Sequence, residues 1–76
     1  MGERVYKQIE VTGTSTVSLE DAIQTAVARA ARTLRHLRWF EVVEIRGAIQ
    51  EAAVAQWQVT VKIGFAIEDA GEEVAL

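Results

Sequence analysis

The chain has 76 residues, half of them hydrophobic, and a formal net charge of −3 at pH 7. It has no cysteine and a single histidine, His36, which excludes disulfide bonds and a histidine-rich metal site as sources of stability. The negative charge gives no general attraction to nucleic acid or anionic lipid, and no stretch approaches the roughly 18 apolar residues of a membrane span.

The first predicted strand covers residues 5–12. Val5, Ile9 and Val11 fall on one face of this strand, and Lys7 interrupts that face. The Thr-Gly-Thr-Ser-Thr cluster that closes the strand is typical of a turn. We therefore expect the chain to leave the sheet at this cluster.

A helix is predicted to begin at Leu19, with Ser18 as its N-cap and Asp21 in the place of the glutamate of a capping box. Arginines in its second half complement the helix dipole. No glycine stops the pattern, so the helix is predicted to end near His36 or Leu37. Its apolar stripe recurs at three- and four-residue steps and comprises Leu19, Ala22, Ile23, Ala26, Val27, Ala30, Leu34 and Leu37.

The second predicted strand covers residues 38–50. Period-two alternation places Phe40 on one face and Trp39 with Glu41 on the other, so the Trp39 indole points away from the core. An exposed indole on so small a domain needs a second subunit or a flat ligand to cover it. Glu44 lies three residues after Glu41 and cannot share its face in a regular strand, which predicts a bulge between them.

The third predicted strand, residues 53–67, alternates most clearly, with Trp57 on the core side and Gln58 on the polar side. The short connection over residues 50–53 predicts a hairpin, although it lacks the glycine that tight turns prefer. Residues 69–76 are predicted to form a mobile acidic tail.

The order strand, helix, strand, strand predicts an α+β fold, in which an antiparallel three-stranded sheet wraps over one helix. We expect one domain spanning residues 1–76. A chain this short buries only about 60–65% of the surface exposed on unfolding, so part of its apolar surface is expected at subunit contacts. The lack of cysteine and of a visible secretory signal predicts a cytoplasmic location.

Catalytic and metal chemistry are not predicted. The only candidate base, His36, lies near Arg32 and Arg35 toward the end of the helix, and it is interpreted as a surface helix residue. No partner stands at metal-ligand spacing, and no glycine-rich phosphate loop is present. Together with Arg29 and Arg38, the two arginines form a basic patch, interpreted as a solvated helix face, with phosphate or a neighbouring subunit's acids as the alternative.

Two residues are candidates for ligand binding. The Gln58 amide offers one acceptor and two donors, a set that matches the alternating groups of an imide edge, although an ordinary surface glutamine is the simpler reading. Trp39 is either an interface anchor or a platform for a flat ligand.

Five segments, spread over nearly the whole chain, form a specific combination: Val5-Tyr6-Lys7, Thr12-Gly13-Thr14-Ser15, Ser18-Leu19-Glu20-Asp21-Ala22, Leu37-Arg38-Trp39-Phe40-Glu41-Val42-Val43-Glu44-Ile45-Arg46-Gly47 and Gln58-Val59-Thr60-Val61-Lys62-Ile63-Gly64-Phe65. In this combination the chain resembles the dodecin family of small flavin-binding proteins. It departs from the family at Trp57, where many members have tyrosine, and at Glu51-Ala52, where a tighter turn is usual.

The resemblance implies a β-α-β-β subunit assembled into a hollow homododecamer, with flavins bound as stacked pairs at two-fold interfaces. Trp39 matches the family's stacking tryptophan, and Gln58 matches the glutamine that pairs with the pyrimidine edge of the ring. Glu44 and Arg46 match positions near the ribityl chain or the phosphate. The implied cofactor is FMN or riboflavin, with FAD as a third candidate, and coenzyme A is a second ligand of some bacterial relatives.

The expected function is storage or sequestration of flavin and quenching of its photochemistry, without catalysis. Two alternatives stay open at this point. In the first, the chain is an oligomeric interaction scaffold in which Trp39 is only an interface anchor. In the second, the chain is an enzyme that uses the bound flavin for redox chemistry.

Overall fold

A computed structural model describes residues 3–67 of the chain. The sheet is antiparallel throughout and has the order β1-β3-β2, so β3 is central. This topology confirms the predicted α+β fold, whereas the acidic tail predicted for residues 69–76 lies outside the described residues. The elements are β1 (Tyr6–Ser15), α1 (Leu19–Ala30), β2 (Leu37–Gln50) and β3 (Ala53–Ala66).

β1 is longer than predicted, because the cluster that was expected to turn continues in the sheet as far as Ser15. Gly13 lies within the added part of the strand. A Cβ at this position would collide with the Ala22 carbonyl oxygen and lie 2.9 Å from Ala26 Cβ. Gly13 therefore marks the place where the helix lies directly on the strand. The turn prediction was wrong for residues 12–15, and the chain bends only at Thr16 and Val17.

The helix begins as predicted, at Leu19. The Ser18 hydroxyl accepts the Asp21 N–H at 3.0 Å, which confirms the N-cap. The Asp21 carboxylate accepts a hydrogen bond from the buried Ser15 hydroxyl (2.7 Å), and this hydroxyl in turn accepts the Ser18 N–H at 3.3 Å. The acid, which is shorter than glutamate, is thus linked to the Ser18 backbone through Ser15.

The helix ends at Ala30, earlier than predicted. A tighter i→i+3 turn follows, in which the Thr33 N–H donates to the Ala30 carbonyl at 3.2 Å. His36, which was expected on the helix surface, lies in the connection with φ 60°, and its carbonyl accepts the Ala66 N–H at 3.1 Å. Leu37 keeps the helical spacing of apolar residues but packs against the core from the start of β2.

β2 and β3 form a two-residue hairpin in which Glu51 and Ala52 have φ values of 52° and 63°. Two consecutive left-handed residues are typical of the turn that matches the twist of a hairpin, and here neither is glycine. The hairpin prediction is confirmed. A register shift between Val42 and Glu44 confirms the predicted bulge.

The core lies between α1 and the centre of the sheet. The helix packs on β1 and β3, whereas β2 is exposed along almost its whole length. Phe40 and Ile45 of β2 are about half exposed, at 49% and 54%. The buried apolar cluster comprises Ala22, Ala26, Ala30, Val59, Val61 and Ile63.

The chain is elongated. Its radius of gyration is 15.5 Å and its longest extent is 55 Å, whereas a compact domain of this length is expected to have a radius of gyration of about 11 Å. The long β2–β3 hairpin accounts for this shape. No helix within residues 3–67 is both long and apolar enough to cross a membrane.

Candidate functional site

The outer face of the sheet, opposite α1, carries all four residues proposed from the sequence. The bulge in β2 makes this possible, because it returns Glu44 to the face that carries Glu41. The cross-strand pairs on this face are Trp39 with Gly64, Glu41 with Lys62, Glu44 with Thr60, and Arg46 with Gln58. Trp57, by contrast, is half-buried and packs against the core on the inner face, as predicted.

The Trp39 indole lies over the backbone of Gly64. A Cβ at Gly64 would overlap the ring atoms Cδ2, Cε2 and Cζ2, so only glycine allows the indole to lie this close to the sheet. The Tyr6 ring meets the indole edge to face, with the ring centroids 5.0 Å apart and an interplanar angle of 66°. The indole remains 40% exposed. The sheet therefore holds one side of the ring and leaves the other side open to a partner.

The amide of Gln58 is held by hydrogen bonds on both sides. The Nε–H of Arg46 donates to Gln58 Oε1 at 2.6 Å, and Gln58 Nε2 donates to Gln56 Oε1 at 2.8 Å. The carboxylate of Glu44 lies 4.0 Å from Nη1 of Arg46, and both of these side chains are more than half exposed. The four residues form a continuous polar row on the outer face.

The aromatic and polar residues occupy separate ends of this face. Trp39, Tyr6 and Gly64 form the aromatic end, and the polar end comprises Gln56, Gln58, Arg46 and Glu44. Gly64 follows Gln58 by six residues on β3, a separation of about 20 Å at the usual rise of a strand. One three-ring ligand cannot contact both Trp39 and Gln58 of the same subunit over that distance.

Between the two ends, the outer face is polar. The hydroxyl oxygens of Thr12 and Thr60 lie 2.7 Å apart in a hydrogen bond that links β1 to β3. Among residues 3–67, no group of three or more His, Cys, Asp or Glu side chains could hold a metal ion. The hydrogen-bonding and stacking groups of this face suit a flat ligand with a polar edge.

Three residues of the site were not identified from the sequence. They are Gly64, Tyr6 and Gln56. The alternation of β3 already placed Gly64 and Gln58 on one face. The register that sets Gly64 beneath Trp39 also depends on the register shift between Ala48 and Ile49, which the sequence pattern does not predict.

Comparison with known proteins identifies close relatives. The dodecin family model matches residues 5–68. A curated dodecin from Thermus thermophilus is 58% identical over 66 residues, which covers 87% of this chain and 96% of that protein. A crystal structure of a Thermus thermophilus protein is 57% identical with a TM-score of 0.85, and covers 88% of this chain and 98% of its own.

A dodecin structure from Streptomyces coelicolor is 46% identical with a TM-score of 0.86, and the match covers 91% of this chain and 99% of that one. Other matching structures are single-residue variants of the Thermus thermophilus dodecin, among them a tryptophan-to-phenylalanine and an arginine-to-alanine replacement at positions seven residues apart. Trp39 and Arg46 have the same spacing in this chain.

Proposed function

The chain belongs to the dodecin family, and we propose that it binds a flavin by stacking the isoalloxazine ring on Trp39 and pairing the imide edge with Gln58. Family membership indicates a small flavin-binding protein. The observation that carries the residue assignment is the indole itself, held against Gly64 on one side and exposed on the other. A planar, amphipathic ring with one polar edge fits such a platform.

The polar end supplies groups that fit the rest of a flavin. An amide has two N–H donors and two acceptor lone pairs, and Gln58 uses one of each within the subunit. One donor and one acceptor therefore remain for an imide edge. Arg46 and Glu44 are exposed beside Gln58 and are proposed to contact the ribityl chain or a phosphate.

A homo-oligomer is part of this proposal, because the aromatic and polar ends of one subunit are too far apart to share a ring. In an isologous two-fold contact, residue i of one copy lies against residue j of the other copy, and residue j of the first copy lies against residue i of the second. Packing two outer faces in this way sets the aromatic end of one copy beside the polar end of the other. The uncovered apolar residues of β2 and the elongated shape support further subunit contacts. The family resemblance suggests a dodecamer.

The proposed role is storage or sequestration of flavin, not catalysis. A bound flavin would supply light absorption and redox chemistry. The electron-rich indole of Trp39 would hold the ring by stacking and would quench its excited state. FMN and riboflavin are the proposed ligands, with FAD and coenzyme A to be tested beside them. The cytoplasmic location stays a prediction from the sequence.

The test is a titration of the purified apoprotein with riboflavin, FMN and FAD, followed by flavin fluorescence. We expect uptake with strong quenching of at least one flavin. A protein that takes up none of them contradicts the proposal and favours the scaffold alternative. Turnover of the loaded protein with a reductant and an acceptor favours the enzyme alternative instead.

A further inference from the structure

The Gln58 amide has a defined direction on the outer face. Arginine has only N–H donors, so the atom that faces Arg46 Nε is the oxygen of the Gln58 amide. The nitrogen then points along β3 to Gln56 Oε1, at 2.8 Å. Reversing the amide would set an NH₂ group against the guanidinium, which has no acceptor. Arg46 therefore sets the direction of the Gln58 amide, and the hydrogen bond to Gln56 holds the amide in it.

We propose that Gln56 and Arg46 are positioning residues that fix the direction of the Gln58 amide, and that this direction selects which carbonyl of a flavin imide edge is paired. The inference rests on the proposed function and deepens it. Gln56 lies two residues before Gln58 on the same face of β3 and is half-buried. Arg46 lies opposite Gln58 on β2 and holds it from the side.

The selection follows from the pattern of the imide edge, which reads carbonyl, N–H, carbonyl. The free lone pair of Gln58 Oε1 accepts the imide N–H, and the free N–H of Nε2 donates to the carbonyl beside it. Reversal of the amide would move that donor to the other carbonyl. Because the ring also lies against an indole, the choice of carbonyl fixes the direction in which the ribityl chain leaves the site.

Gln56 and Arg46 are expected to affect the pairing with the imide edge only through Gln58. Gln56→Leu keeps similar bulk and removes the acceptor, whereas Gln56→Glu keeps an acceptor oxygen at the same reach. Gln24→Leu makes the same change at an exposed position of α1 and serves as the control. The probes are riboflavin, which has no phosphate for Arg46 to bind, and a tricyclic aromatic compound without an imide.

Loss of one orienting hydrogen bond is expected to weaken riboflavin binding by about three- to tenfold in Gln56→Leu. Gln56→Glu and Gln24→Leu are expected to bind riboflavin as the wild type does, and the imide-free ligand should bind all four proteins alike. In a Gln58→Leu background, Gln56→Leu should cause no further loss. Light scattering first establishes that the variants have the same assembly size.

Arg46→Met removes the donor from the other side of the amide and provides a second, independent variant. Its probe is lumiflavin, which keeps the imide edge but has neither a ribityl chain nor a phosphate for Arg46 to contact. Arg46→Met should weaken the binding of lumiflavin in the presence of Gln58 and have no effect on it in Gln58→Leu. Equal weakening of both ligands, or an unchanged affinity in Gln56→Leu and Arg46→Met, contradicts the positioning role. A wild-type protein that takes up no riboflavin contradicts the proposed function itself, so the two failures are distinguishable.

Discussion

Gly13 and Gly64 both allow another part of the chain to lie directly on the sheet, but on opposite faces and against different neighbours. Gly13 faces the backbone of α1 on the inner side, where a Cβ would meet the Ala22 carbonyl and Ala26. Gly64 faces the ring of Trp39 on the outer side, where a Cβ would meet a side chain that can rotate away. The close contact at Gly13 joins α1 to the sheet, and the close contact at Gly64 shapes the surface on which we propose that a flavin binds.

The largest effect is expected from Gly13→Ala. The added methyl group meets backbone that cannot move without separating α1 from the sheet, so we expect a loss of about 3 kcal/mol in the free energy of unfolding. Chemical denaturation monitored by circular dichroism measures this loss. If Gly13→Ala is as stable as the wild type, the helix does not lie as close to β1 as described.

Trp39 on the outer face and Trp57 on the inner face extend the comparison to flavin affinity and stability. Trp39→Ala is expected to remove a stacking contact of about 1–3 kcal/mol, which is roughly a 5- to 150-fold loss of flavin affinity. Trp57→Phe changes a ring that packs against the core and is expected to lower stability while sparing affinity. Fluorescence titration and denaturation of both variants separate the two effects. Equal flavin affinity in the wild type and an assembled Trp39→Ala protein would make Trp39 a structural anchor only.

Gly64→Ala is the outer counterpart of Gly13→Ala. Its methyl group lifts the indole from the sheet at little cost to the fold, so stability should change by less than about 1 kcal/mol. Flavin affinity should nevertheless fall by about tenfold, because the platform is tilted. Denaturation and flavin titration of the same preparation test both statements. A large loss of stability with unchanged affinity would reverse the comparison between the two faces.

The smallest effect is expected at the hairpin turn, away from both Gly13 and Gly64. Ala52 has a φ of 63°, a conformation that glycine adopts without strain. Ala52→Gly should therefore raise the free energy of unfolding by about 0.5–1 kcal/mol and leave flavin affinity unchanged. Ala53→Gly, at the first residue of β3, is the matched control and should be destabilising. A destabilised Ala52→Gly protein would contradict the left-handed conformation of this turn.

The sequence pattern predicted the features that depend on periodicity. Alternation placed Trp39 and Gln58 on the polar side of the sheet, and the spacing of Glu41 and Glu44 predicted the bulge. It did not predict the end of the helix, because Leu37 keeps helical spacing while lying in a strand.

The sequence pattern did not predict the cross-strand contacts either. Periodicity within one strand does not determine which residue lies opposite in the next, so the position of Gly64 beneath Trp39 could not be predicted. The direction of the Gln58 amide depends in the same way on a neighbour across the strand, Arg46, and on Gln56 beside it. The four candidate residues were thus accessible from the sequence, whereas Gly64, Tyr6 and Gln56 and the contacts of the site were not.

The most direct test of the central claim is a crystal structure of the oligomer with riboflavin bound. We expect the isoalloxazine ring on the exposed side of Trp39, with the indole still resting on Gly64. The imide edge should lie within hydrogen-bonding distance of Gln58 from a different copy of the chain. A ring bound away from Trp39, or bound within one subunit without any contribution from a second copy, would contradict the account.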